Sequence, residues 1–203
     1  MKGICLFIFL GAFITGLKAQ EDWKKIKSSD GITVWTKDVP GTEVKQFRAK
    51  VSMKEKITHI VSALSDVESM HLWYSRVKSV KTLEKISDTE GIYLLEYGLP
   101  FPFKNRYSTL RGNMKYNPDK KSARLETAYT DYNHAKVKDK GPLITQIRSL
   151  WELQEEKDGT VTVMHEGFLD PGGNVPVWAI NNDVVDSPIK SLKAFRQLLA
   201  VKR

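Results

Sequence analysis

The sequence predicts an α+β fold, a curved antiparallel β-sheet wrapped around one long C-terminal helix with an internal hydrophobic cavity between them. Three observations carry this expectation. Between Val77 and Leu169, stretches with an apolar period of two alternate with hairpin signals. From Val177 to Leu199 the apolar residues instead recur near helical spacing. The chain has 203 residues, 41% of them apolar and 28% charged, so it can bury a real core, and at roughly 150 residues per domain one domain is expected. A layered helix-on-sheet arrangement is the solution that this order of elements suggests, and a strongly curved sheet does not fill its own concave side.

The first nineteen residues stand outside that fold. Lys2 is a short positive start, Ile4 to Leu17 is apolar, and Leu17-Lys18-Ala19 ends in a small residue. This is the pattern of a signal peptide cleaved after Ala19, and the apolar run falls short of the about 20 residues a spanning helix needs. Residues 1–19 are therefore read as the signal peptide and 20–203 as the folded domain, exported to the periplasm or secreted. The sole cysteine, Cys5, lies in the signal segment, so the mature chain has no disulfide and no cysteine metal site.

In the mature chain, Ser28-Ser29-Asp30-Gly31 breaks a polar N-terminal segment, and Ile32 to Val39 alternates as a strand. Val39-Pro40-Gly41-Thr42 is a turn, and Glu43 to Val51 a second strand. Ser52 and Glu55 stand at capping-box spacing ahead of a helix with Met53, Ile57, Ile60, Val61 and Leu64 on one face. A short helical piece follows over 66–73. Three hairpins come next: Val77–Ser87 with Ile92–Tyr97, Asn105–Tyr116 with Ala123–Thr130, and Leu143–Glu155 with Thr160–Leu169. Their turns are Asp88-Thr89-Glu90-Gly91, Asn117-Pro118-Asp119 and Lys157-Asp158-Gly159. Pro176 suits the first turn of the last helix, and Pro188 lies inside it, which predicts a kink or restart near Ser187.

Charge says less. Without Lys2 and Lys18, the 32 basic residues become 30 against 24 acidic ones, a net charge of +6. The basic groups at Lys24-Lys25-Ile26-Lys27 and Lys136-Val137-Lys138-Asp139-Lys140 lack interleaved aromatics that would stack bases, so no nucleic-acid partner is expected. A solvated face is the simpler reading, and transient contact with an anionic membrane surface is the functional one.

Three segments together resemble the START (steroidogenic acute regulatory protein-related lipid transfer) domain family. They are Trp73 with Val77-Lys78-Ser79-Val80, then Leu99-Pro100-Phe101-Pro102-Phe103-Lys104-Asn105-Arg106, then Asp170-Pro171-Gly172-Gly173-Asn174-Val175-Pro176-Val177-Trp178 with Asn181. The resemblance spans nearly the whole mature chain and implies a helix-grip fold that holds a hydrophobic ligand under its C-terminal helix. The chain also departs from the family. Tyr107 stands where an acid follows Asn-Arg, and Met70 where phosphatidylcholine carriers have arginine. Tyr93 and the Arg111-Gly112 region stand near the buried acid and base of sterol binders, so the ligand class stays open.

Catalytic patterns are sparse. His59, His71, His134 and His165 have no second histidine at metal-ligand spacing, and there is no Gly-x-Ser-x-Gly elbow or glycine-rich phosphate loop. Neither a cofactor nor a metal is expected. Glu96, Tyr97, Arg111 and Glu126 could serve as acid–base residues in a cavity, though exposed or ion-paired strand positions are the simpler reading. The aromatic residues fit a packed core and a pocket wall equally, and the resemblance favours the wall. The cavity candidates are Trp73, Tyr93, Leu95, Tyr97, Arg111, Trp151, Phe168, Trp178, Val184, Leu192 and Phe195. The expected function is non-catalytic binding, with possible transfer, of a lipid or sterol-like hydrophobic small molecule by a monomer. The alternatives are a cyclase- or hydrolase-type enzyme acting on a bulky apolar substrate, and an interaction module with a filled core.

Overall fold

The computed structural model describes residues 22–132 and 141–201. The expected signal peptide over 1–19, His134 and the basic group 136–140 lie outside the described residues. Among the described residues, nine strands form one antiparallel sheet: β1 (Lys24–Ser29), β2 (Ile32–Val39), β3 (Thr42–Met53), β4 (Val77–Lys85), β5 (Glu90–Tyr97), β6 (Arg106–Asn117), β7 (Ser122–Tyr129), β8 (Gln146–Glu155) and β9 (Val161–Asp170). The helices are α1 (Ile57–Ser65), a 3₁₀ turn over Val67–Leu72, and α2 (Val177–Val201). The spatial order is β1-β2-β3-β9-β8-β7-β6-β5-β4. After β3 the chain crosses to the far edge through α1 and the 3₁₀ turn. It then meanders back through three hairpins until β9 pairs with β3.

The expected hairpins are present, but the sheet begins earlier than the sequence suggests. Lys24–Ser29 is an edge strand joined to β2 through Asp30 and Gly31, both at positive φ (54° and 75°), as a tight two-residue hairpin turn requires. Its residues are almost all exposed, so the alternation that marks a half-buried strand is missing. The capping box is also absent. Ser52 stays in β3 opposite Thr162, and α1 starts at Ile57 with no side-chain cap on Lys56. The β3–β9 ladder, continuous to Met53↔Val161, holds that backbone extended, and Glu55 instead faces His59 across 3.3 Å.

Helix α2 runs through Pro188 without a restart, yet its two halves do different work. All of its buried residues lie from Ser187 onward: Ile189, Leu192, Phe195 and Leu199 meet Ile32, Val34, Ala49 and Val51 of the sheet, Ile60 of α1, and Trp73. The half before Ser187 is only partly buried. Asn181 ties it down. Its Oδ1 accepts the Lys45 amide (2.9 Å) and its Nδ2 donates to the Glu43 carbonyl (3.0 Å), where β3 has not yet begun to pair with β9. One end of the helix therefore closes a solid core, and the other roofs the space left by the curved sheet.

Candidate ligand cavity

That space is a cavity of about 210 Å³. Its roof is Ala179, Ile180, Asp183, Val184 and Ser187 of α2. Its floor comes from the sheet: Phe47 of β3, Tyr93, Leu95 and Tyr97 of β5, Leu110, Gly112 and Met114 of β6, Leu125 and Thr127 of β7, Ile147, Ser149 and Trp151 of β8, and Gly167 of β9. Leu64, Val67 and Met70 close one side, and Leu99, Pro100, Pro171 and Val175 border another. Most of these groups are apolar, the lining that takes up a hydrophobic ligand. Gly167 is a steric necessity, because a Cβ there would stand 2.5 Å from the Phe47 ring.

Two polar clusters interrupt the wall. In the first, Arg76 grips both oxygens of Asp183, donating from Nη2 to Oδ1 (3.0 Å) and from Nε to Oδ2 (3.3 Å), and the Tyr97 hydroxyl donates to Asp183 Oδ2 (3.3 Å). The fork geometry is the strong form of this contact and links the roof half of α2 to the turn before β4. Arg76 sits at φ +70°, and its carbonyl accepts the Gly98 amide at 2.7 Å. The Asp183 contact raises the Arg76 guanidinium, and burial raises the Tyr97 hydroxyl far above its ordinary range, with Asp183 adding to it.

In the second cluster, the Tyr74 and Ser149 hydroxyls lie 3.3 and 3.1 Å from the same nitrogen, His165 Nε2. His165 is fully buried, stacked on Trp151 (centroids 3.8 Å apart, planes 9° apart) with the Phe47 ring at 4.9 Å edge-on. Burial pushes its pKa down to about 3, so the imidazole is neutral at ordinary pH.

Of the sequence candidates, Tyr93, Leu95, Tyr97, Trp151, Phe168 and Val184 line the cavity. The other five do not. Trp73, Leu192 and Phe195 are 3%, 0% and 0% exposed and pack in the core, with Trp73 and Phe195 centroids 4.4 Å apart. Leu192 and Phe195 lie past Pro188, in the part of α2 that joins the sheet in one buried core cluster. Arg111 lies on the sheet face away from α2 and pairs with Glu90, because the alternation that turns Gly112 inward turns Arg111 outward. Trp178 is 70% exposed at the start of α2. The possible acid–base residues do not converge either. Glu96 accepts from Asn105 (2.7 Å) and Ser79 (3.2 Å), and Glu126 pairs with Arg124. His165 and Glu166 point to opposite faces as alternation requires, Glu166 binding Arg48 (2.6 Å) on the outside.

Sequence reasoning missed Tyr74, Arg76 and Asp183. No local pattern marks them, since each acquires its role from partners more than ninety residues away. The proline–aromatic stretch and the entry to α2 do meet: Arg106, buried, donates to the Pro171 carbonyl (3.0 Å) and to the Lys104 carbonyl (2.8 Å).

A nine-stranded antiparallel sheet gripping a long C-terminal helix over an apolar cavity defines a helix-grip protein. The chain belongs to the START domain family, whose model matches residues 15–200. An uncharacterized protein of Pseudomonas aeruginosa is 26% identical over 200 residues, covering 97% of each chain. Two solved structures share the fold. The STAR-related lipid transfer protein of Xanthomonas axonopodis matches with a TM-score of 0.73 at 24% identity, over 88% of this chain and 98% of that one. Human StAR-related lipid transfer protein 5 matches with a TM-score of 0.78 at 10% identity, over 90% and 88%.

Proposed function

We propose that the protein is a non-catalytic carrier that shelters a hydrophobic ligand, a lipid or sterol-like molecule, between the sheet and the roof half of α2. The observation that carries this reading is the apolar cavity under a helix whose far half is anchored in the core. Each CH₂ withdrawn from water there contributes about 0.8 kcal/mol, so one alkyl chain supplies substantial binding energy. The cavity wall supports carriage better than turnover. His165, placed beside Ser149, is kept neutral, and among the described residues its Nδ1 has no hydrogen-bond partner that would stabilise an imidazolium.

The same reading places loading at a membrane. Phe101, 96% exposed, and Trp178, 70% exposed, belong to the two segments whose neighbours Leu99, Pro100, Val175 and Ala179 border the cavity. Bare aromatic rings beside a cavity mouth suit the boundary between headgroups and acyl chains, and the basic net charge favours an anionic surface. Export, with cleavage after Ala19, completes the proposal and is tested by N-terminal mapping of protein from an exporting host.

Native mass spectrometry of the purified protein, followed by organic extraction, tests the carrier. A co-purifying apolar molecule released on unfolding is expected. Turnover of a substrate, abolished by Ser149→Ala or Glu96→Gln, would favour an enzyme instead.

A further inference from the structure

Tyr74, Ser149 and His165 hold more hydrogen-bond donors than they can use among themselves. Among the described residues, His165 Nε2 is the sole hydrogen-bond partner of both hydroxyls, and it has one function at a time, either accepting one proton or donating its own. When Nε2 accepts, it takes the proton of one hydroxyl, and the other hydroxyl proton is left over. When Nε2 donates, both hydroxyl protons are left over. The second tautomer also avoids a buried, unpartnered N–H at Nδ1, which finds no hydrogen-bond partner among the described residues. Either way, at least one hydroxyl proton needs an acceptor that the cluster itself does not supply.

The position of the cluster says where that acceptor comes from. Tyr74 and Ser149 both line the cavity. Tyr74 is shut off from bulk water well enough for burial to push its hydroxyl far above the usual range, yet it keeps accessible surface. Such surface faces the internal space. Trp151 stacked on one side of His165 and Phe47 edge-on to it hold the imidazole in place, so the hydroxyls are held as well.

We propose that Tyr74 and Ser149, backed by His165, are a polar anchor that donates to one uncharged oxygen (a hydroxyl, ester or ketone oxygen) of an otherwise apolar ligand. This rests on the carrier reading and deepens it by setting the ligand class. The charge balance of the wall selects the uncharged form. Of the four charged residues that border the cavity, Arg76 and Asp183 neutralise each other, Asp88 pairs with Lys85, and Arg148 is held by Gln46 Oε1 (2.9 Å) and the Phe168 ring; the neutral imidazole offers no positive charge to a carboxylate, whose burial would be costly. His165 is a positioning residue here, while Tyr74 and Ser149 make the contact.

The test is displacement of a fluorescent apolar probe by dodecane, dodecanol, dodecyl acetate and dodecanoate, in the wild type and in the Tyr74→Phe/Ser149→Ala double variant. The double variant should bind dodecanol and dodecyl acetate roughly tenfold more weakly, equivalent to about 1.4 kcal/mol. Dodecane should stay within roughly twofold, since the variant removes only hydrogen bonds. Dodecanoate should be the weakest oxygen-bearing competitor for the wild type. Ser149→Ala alone should show part of the same selective loss and covers the case in which the double variant does not fold. Unchanged or uniformly reduced binding across the series would overturn the anchor while leaving the carrier intact. A wild type that prefers dodecanoate would overturn the uncharged class. A wild type that takes up none of the four would overturn the carrier reading and the anchor together.

Discussion

Truncating α2 on either side of Pro188 should have opposite consequences. Phe195 is fully buried, its ring 4.4 Å from Trp73 and 6.3 Å from Trp151 between centroids, and it is not among the residues that line the cavity. Phe195→Ala creates a new cavity in close-packed surroundings and should cost about 3–5 kcal/mol. Val184 borders space that already exists and is only half-buried. Val184→Ala loses the transfer energy of two partly buried carbons and should cost about 1 kcal/mol or less. Ligand uptake should rank the other way: Val184→Ala should alter the affinity for a fluorescent apolar probe, and Phe195→Ala should leave it nearly unchanged in the folded fraction. Urea unfolding and probe titration on both variants supply the numbers. Equal stability losses, or a larger change of probe affinity in Phe195→Ala, would refute the division of α2 into roof and core.

Three further outcomes follow from the same geometry. His165 titrates at about 3 when folded and near its ordinary 6.5 when unfolded, so the unfolded chain binds one more proton between those values. Stability should fall as pH drops through that window, by up to about 1.4 kcal/mol per unit and about 1.6 kcal/mol between pH 6.5 and pH 5, and His165→Gln should remove that part of the slope in denaturant melts. Arg76→Ala strands Asp183 on the cavity wall, and since the pair is partly exposed the loss should be about 1–2 kcal/mol, with faster ligand exchange by stopped-flow fluorescence. At Gly112 an added Cβ would meet the Tyr93 ring at 3.0 Å and Thr127 Cγ2 at 3.3 Å, so Gly112→Val should reduce probe binding measured at saturation while the protein still melts cooperatively.

Much of the sheet was legible because three hairpins carry both signals at once, alternation and turn residues, as in β4–β5 around Asp88 to Gly91. Strand β1 carried neither inward apolar residues nor a recognisable run, since an edge strand exposed on both faces has nothing to bury. The Ser52/Glu55 spacing misled for a physical reason. A capping box is a local preference of about 1 kcal/mol, and the β3–β9 ladder outweighs it. For the cavity, parity decided what could be read. Positions on a strand face such as Tyr93, Leu95 and Tyr97 were recoverable once the elements were known. Which half of α2 roofs the void was not, because Val184 and Phe195 belong to one apolar stripe and differ only in what lies opposite them. The polar clusters were invisible for the same reason: Arg76 meets Asp183, and Tyr74 meets His165, only after the sheet has closed.

Carriage requires that an apolar ligand enter the space beneath the first half of α2. Methyl-resolved NMR of the protein titrated with dodecanol measures it directly. Shifts should concentrate on Ile180, Val184, Leu95, Leu110 and Ile147, which border the cavity, and be small at Ile189, Leu192 and Leu199, which lie in the core. Shifts confined to exposed residues such as Ile26 and Ile86, or a core set that moves as much as the cavity set, would contradict it.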